Sequence, residues 1–243
     1  MLAVLSWVDD RHGLPALLRL AVHLTVSACW LASLGLPAVL LAPLALVVAW
    51  STNLYNFMDG ADGLAGSMSV SGFAVYAGLA WAAGDVHLAG LAAAIAASAT
   101  GFLFFNWPKA SLFLGDSGSI PLGFLAAAIG IHGWHHQLWA WSLPVIAFFP
   151  FVFDATYTLA RRLLAGSPPW QAHREHLYQR LVLAGHGHRG LLARELPVMA
   201  ICALLGVATA SEPGAGAFIL TALTAIGLCL ALWMARTQRS RRM

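Results

Sequence analysis

Apolar residues run along this chain in long blocks, interrupted by short clusters of Gly, Pro, Asn and charge. Eight blocks stand out, at approximately Leu14–Ser33, Pro37–Tyr55, Ser67–Ala83, His87–Phe105, Ser119–Ile131, Leu138–Leu159, Leu191–Ala210 and Gly216–Met234. They lack the strict alternation of a half-wet strand, and most approach the ~20 residues that carry a helix across a bilayer. Lipid offers the backbone no hydrogen-bond partners, so without alternation helices are favoured over a barrel. The pattern predicts an all-α polytopic membrane bundle of about eight transmembrane helices, built as one membrane-embedded domain over residues 1–243. The fifth block is short and predicts a tilted or re-entrant helix. Stretches such as AGLAAAIAASATG let neighbouring helices approach closely. The opening MLAVLSWVDDRHG lacks the basic start of a signal peptide and reads as the last turns of a helix.

Composition agrees. Hydrophobic residues make up 60% of the chain and Asp, Glu, Lys and Arg only 9%, against roughly 25% charged in a soluble domain. That excludes an ordinary soluble fold and a disordered chain. A net charge of +3 is too small to suggest a nucleic-acid partner. Cys29, Cys202 and Cys229 lie inside apolar blocks with no CxxC spacing and read as packing residues.

The placement of charge sets the orientation. Counting crossings from Asp9 and Asp10 puts Asn53–Asp62, Asn106–Asp116, Arg161–Gly190 and Arg236–Met243 on one side. All 13 Lys and Arg residues lie there or nearby, while the opposite links hold only Asp85 and Glu212 as charges. The positive-inside rule makes the first side cytoplasmic.

Four motifs share that side. Asp9-Asp10 precedes a helix starting near Leu14 and reads either as a solvated cap or as a reactive pair. In NLYNFMDGADGLAGS, Asn53, Asn56, Asp59 and Asp62 recur every three residues, more than turn chemistry alone requires. In FNWPKASLFLGDSGS, Lys109 can reach a phosphate, and Gly115 to Ser119 resembles a backbone nest opening a helix, with Asp116 inside it. The cytoplasmic His/Arg loop over 161–190 holds His173, Arg174, His176 and Arg180, which suit a diphosphate. A zinc site using His186 and His188 would lack any Cys from the loop. Within it, Gln171 to Val182 predicts a surface amphipathic helix with Leu177 and Leu181 on its apolar face. Five carboxylates (Asp9, Asp10, Asp59, Asp62, Asp116) on one face repel each other unless a cation compensates, and hard oxygen ligands suit Mg2+ or Mn2+. Asp154 sits inside the sixth block. Arg19, four residues before His23, either snorkels to the interface or holds a lipid phosphate. His132, His135 and His136 on the far side read as interfacial.

Taken together, Asp9-Asp10, Asn53-x-x-Asn56-x-x-Asp59-Gly60-x-Asp62-Gly63, Asn106-Trp107-Pro108 with Leu114-Gly115-Asp116-Ser117-Gly118-Ser119, and His173-x-x-His176 resemble the polyprenyl-phosphate N-acetylhexosamine-1-phosphate transferase family in order and spacing. The resemblance implies a Mg2+-dependent glycosyl-1-phosphate transferase of the bacterial inner membrane. A UDP-N-acetylhexosamine would donate its sugar 1-phosphate to undecaprenyl phosphate, giving a lipid diphosphosugar and UMP. It implies that Asp116 ligates the metal with Asn56 nearby, that Asp59 and Asp62 line the same pocket, and that Asp9 and Asp10 lie at the lipid phosphate. Asn53, Lys109, His173, Arg174, His176 and Arg19 would contact substrate. Members of the family begin with roughly three further helices ahead of the Asp pair, whereas Met1 lies eight residues before Asp9, so the chain is expected to be N-terminally incomplete. The muramoyl-pentapeptide branch carries adjacent histidines in the late loop. His173-Arg174-Glu175-His176 favours instead the branch that starts O-antigen or other envelope polysaccharides. A homodimer is left open. A transporter would set its ionisable groups near the midplane, not at one interface.

Overall fold

The computed structural model describes residues 1–168, 171 and 173–240, and the side chains of these except 10 and 235–240. Eleven helices follow in order: α1 (Leu2–His12), α2 (Ala16–Ala32), α3 (Ala38–Met58), α4 (Leu64–Ala82), α5 (Val86–Asn106), α6 (Gly115–His135), α7 (Ser142–Ala147), α8 (Phe149–Leu164), α9 (Leu177–Leu181), α10 (Gly187–Ala208) and α11 (Pro213–Ser240). A π turn over Val182–His186 joins α9 to α10. Among the described residues there is no strand. Among the described residues, five helical stretches are long and apolar enough to cross a membrane: Ala38–Met58, Leu64–Ala82, Val86–Asn106, Leu177–Ala208 and Pro213–Met234. The expected further crossings by α2, α6 and α8 belong to the topology proposed below.

Two expectations change. The sixth block divides into α7 and α8 at Phe148. Pro150 sits in the first turn of α8, where its missing N–H costs nothing, but it cannot continue a helix arriving from α7. Helix α6 is longer than the fifth block suggests. Gly115-Asp116-Ser117-Gly118 is already its first turn, with Gly115 at φ 63°.

Helix α3 is the hub, packed on α2, α6 and α8. A Cβ on Gly123 of α6 would stand 2.5 Å from the Ser51 carbonyl oxygen and 2.8 Å from the Thr52 Cα, so α3 and α6 meet backbone to backbone. The Ser51 hydroxyl donates to the Gly123 carbonyl across this contact (2.8 Å). Beside it, Tyr55, Phe73, Tyr76, Phe148 and Phe151 form an aromatic core. The two tyrosine hydroxyls in it are satisfied, Tyr55 against Ser69 (2.6 Å) and Tyr76 on the Ala126 carbonyl (3.0 Å), as buried polar groups require. Helix α11 packs mainly on α7 and exposes most of its apolar surface, as a lipid-facing helix would.

Candidate active site

The motifs meet at one end of the bundle because helix ends, not helix middles, carry them. At the C-terminus of α3, Asn56 and Asp59 face the first turn of α6. The Ser119 hydroxyl donates to Asn56 Oδ1 (2.7 Å) and to the Gly115 carbonyl (3.0 Å). The Asp59 carboxylate accepts from the Gly115 N–H. Burial and then the charge of Asp116 push the Asp59 carboxyl up to about 7, against the pull of that N–H. Two carboxylates, one amide oxygen and a hydroxyl from opposed helices therefore converge here.

Asp62 and Asn106 hold the adjoining loops. Asn106 accepts from the Gly63 N–H (2.8 Å) and donates to the Leu112 carbonyl (2.8 Å), pinning the 107–114 loop to the start of α4. Asp62 Oδ2 accepts from the Ala110 N–H (3.2 Å) and lies 3.0 Å from His188 Nδ1. Lys109, beside these contacts, is exposed.

A second polar line runs from α1 to α3. Both oxygens of buried Asp9 are occupied, Oδ1 by the Leu14 N–H (2.6 Å) and Oδ2 by Arg19 (2.7 Å). Arg19 is thus ion-paired and not simply snorkelling. One turn further, His23 Nδ1 lies 3.3 Å from the Asn53 amide nitrogen, which also donates to the Ala49 carbonyl (2.7 Å). Asn53 is thereby turned toward α2 and its own helix, apart from Asn56 and Asp59. The side chain of Asp10 lies outside the described residues, as do Arg241 and Arg242.

The late loop departs from the predicted amphipathic helix. Residues 173–175 are not helical, and helix starts only at Leu177. The cause is Asp154 of α8, which accepts from the Leu177 N–H (2.8 Å) and the Tyr178 N–H (2.9 Å) and so caps α9 from another element. Tyr178, and neither leucine, is the fully buried residue of α9. His176 is buried with Nδ1 3.3 Å from Asp154, and its ring lies 5.0 Å from that of His173. Burial and then the positive charge of Arg162 hold His173 below its ordinary value of 6.5. Glu175 bridges Arg161 (2.5 Å) and Arg162. Arg174 is exposed.

The geometry thus gathers Asn56, Asp59 and Asp116, places Asp62 beside them as a loop latch, and sets Asp9 with Arg19 on α1 and α2. Asp154, Tyr178, His188 and Ser119 have roles here that the motifs do not reveal. Asp154 had a visible signal, a lone carboxylate within an apolar block. The His188–Asp62 pair spans 126 positions and had none.

No three of His, Cys, Asp and Glu converge as a ready-made metal cage among the described residues. Mg2+ does not need one. It binds through one or two carboxylates and completes its shell with water and phosphate oxygens. The mutual repulsion of Asp59 and Asp116 is what such a cation would relieve, so these residues fit it.

The chain is 31% identical over 207 residues to a probable undecaprenyl-phosphate N-acetylglucosaminyl 1-phosphate transferase of Bacillus subtilis, covering 78% of this chain and 58% of that one. It is 31% identical over 222 residues to a decaprenyl-phosphate N-acetylglucosaminephosphotransferase of Mycobacterium leprae, covering 75% and 55%. It is 36% identical over 138 residues to a phospho-N-acetylmuramoyl-pentapeptide-transferase of Levilactobacillus brevis, covering 56% and 39%. The chain spans about half the length of the curated relatives it matches. The model of glycosyl transferase family 4 matches residues 1–133, which contain the Asp9 pair, the Asn56–Asp62 turn and Asp116, and the chain belongs to that family.

Proposed function

We propose that this protein transfers N-acetylhexosamine 1-phosphate from a UDP-sugar to undecaprenyl phosphate and releases UMP. The observation that carries this reading is the convergence of Asp59, Asp116 and Asn56 at one end of an apolar helix bundle. In the reaction an oxygen of the lipid phosphate attacks the sugar-linked phosphorus, the P–O–P bond breaks, and UMP leaves with the bridging oxygen. Both reactants are anionic, so charge must be offset where they meet. Mg2+, when bound, would supply that offset at the donor diphosphate, held by Asp116 with Asp59 and Asn56 beside it; Mn2+ has the same ligand preference.

The chain's own residues supply the rest. Asp9, with both oxygens engaged, orients Arg19 toward the lipid phosphate, and Asp10 accepts or steers its proton. Lys109, His173, Arg174 and His176 attract the donor diphosphate. Asp62 keeps the 107–114 loop and α10 in register around it. The one-sided distribution of Lys and Arg supports an eight-span topology in the bacterial inner membrane with the site on the cytoplasmic face, where a UDP-sugar would be met. The longer alignments run to the N-acetylglucosamine-phosphate enzymes, and this supports the surface-polysaccharide branch over the pentapeptide branch.

UMP release from UDP-N-acetylglucosamine, undecaprenyl phosphate and Mg2+ by the purified protein in nanodiscs tests the proposal. Release that requires both substrates supports it. Release only from UDP-muramoyl-pentapeptide would move the protein to the other branch, and no release from either donor would refute it.

A further inference from the structure

Asp154 is the one acid of α8, and it is 5% exposed inside an apolar helix. Burying a carboxylate is costly unless donors surround it. Four groups surround this one: the Thr158 hydroxyl from its own helix (3.0 Å) and the Leu177 and Tyr178 N–H groups donate to it, and His176 Nδ1 lies 3.3 Å away. Three of the four come from the late loop. The charge is thus compensated by the loop, and the loop is placed by the charge.

Two geometric consequences follow. First, the His176 ring is held against the same carboxylate, with Nδ1 3.3 Å from Oδ1. Secondly, the clasp extends to the Asp59 turn. The Tyr178 hydroxyl donates to the Phe57 carbonyl (3.0 Å), and a Cβ on Gly60 would stand 2.1 Å from that hydroxyl. The His176 ring also lies 6.0 Å from Phe57 and 5.9 Å from Tyr178. A short, stiff path therefore runs from Asp154 through Leu177 and Tyr178 to Phe57, two residues from Asp59.

We propose that Asp154 is a positioning residue, which clamps the His173–Tyr178 segment at a set distance from the Asp59–Asp116 centre and fixes the place of the His176 ring within it. The functional half of this proposal rests on the transferase reading; the clamp itself does not. Asp154→Asn tests it. The amide keeps one acceptor but turns a donor toward an N–H group or toward His176, so the clasp opens without loss of volume. Hydrogen exchange of the full chain in nanodiscs should show the Leu177 and Tyr178 amides exchanging roughly tenfold faster, the size expected for losing a charge-assisted cap, with α4 and α5 unchanged. Steady-state turnover should show KM for the UDP-sugar raised about tenfold, by the same loss, with KM for polyprenyl phosphate unchanged. Tyr178→Phe removes only the bond to Phe57 and should raise the same KM by a smaller factor. It keeps the test alive if Asp154→Asn does not fold.

Unchanged exchange at Leu177 and Tyr178 overturns the clamp. Faster exchange with both KM values unchanged overturns the positioning role. Equal increases in both KM values would mark general damage and also overturn it. Wild-type protein that turns over no UDP-sugar refutes the proposed reaction instead, and the exchange data then still decide the clamp.

Discussion

At the scale of the residue, the site is a balance of charge against burial. Asp59 and Asp116 face each other, and the Gly115 N–H donates to Asp59. Replacing Asp116 by Asn removes the carboxylate proposed to face the cation while conserving shape. UMP release should fall by about three orders of magnitude, as when a transition-state charge partner is lost, with the melting temperature unchanged or higher. Turnover within twofold of wild type would refute the metal assignment. His173 carries a pH signature. Its folded-state affinity for protons lies below the ordinary 6.5 because of burial and then Arg162. The unfolded chain therefore binds the extra proton first, so this histidine's contribution to stability is present above about pH 6.5 and is lost as pH falls from there through the lower folded-state value. Thermal unfolding at pH 5.5 and 7.5 should show a smaller difference in His173→Gln than in wild type. An equal or larger difference would contradict the sign. Residue identities at these positions were legible as a motif, because Asn and Asp at three-residue intervals in an apolar chain have few structural uses. Their partners were not. Ser119, His188 and Asp154 are brought in by helices remote in sequence, and periodicity carries no information about such pairs.

At the scale of the element, the helix blocks were readable to within a few residues, while their ends were set by neighbours. The beginning of α9 is the clearest case. Gln171 to Val182 has a helical spacing of leucines, yet the helix starts only where Asp154 accepts two N–H groups. A cap supplied from another helix overrode local propensity, which is worth only tenths of a kcal/mol per residue. The break between α7 and α8 was written in Pro150, but hydropathy averages over it. The α3–α6 contact supplies a test at this scale. Gly123→Ala puts a Cβ into the backbone of Ser51 and Thr52, a collision no rotamer can relieve. Overpacking of this kind costs about 1–3 kcal/mol. The melting temperature should drop, and Asn56 and Ser119 should separate as α6 is displaced. A melt equal to wild type would mean that α3 and α6 are not in backbone contact.

At the scale of the whole molecule, the bundle is polarised. The Asp59, Asp62, Asp116 and His176 contacts lie at one end. The His132–His136 rings (4.3 Å apart) and the Ala140–Ala210 backbone bond (2.6 Å) close links assigned to the other. The proposed orientation predicts that a cysteine at Gln137, in a chain with Cys29, Cys202 and Cys229 replaced by Ser, reacts with an impermeant maleimide in intact cells. A cysteine at Ser111 should react only after lysis. The reverse pattern would invert the topology. The sequence by itself determined the helical membrane class of this protein and supplied the orientation proposed for it. Long apolar blocks admit only helices in lipid, and basic residues counted along alternating links need no coordinates to be sorted by side. Only the tertiary structure decided which acids act together. Asp59 meets Asp116, Asp62 turns to His188, Asp9 is taken by Arg19, and Asp154 clasps the late loop, because a carboxylate's role depends on which donors and charges lie within a few ångströms, and here those come from other helices.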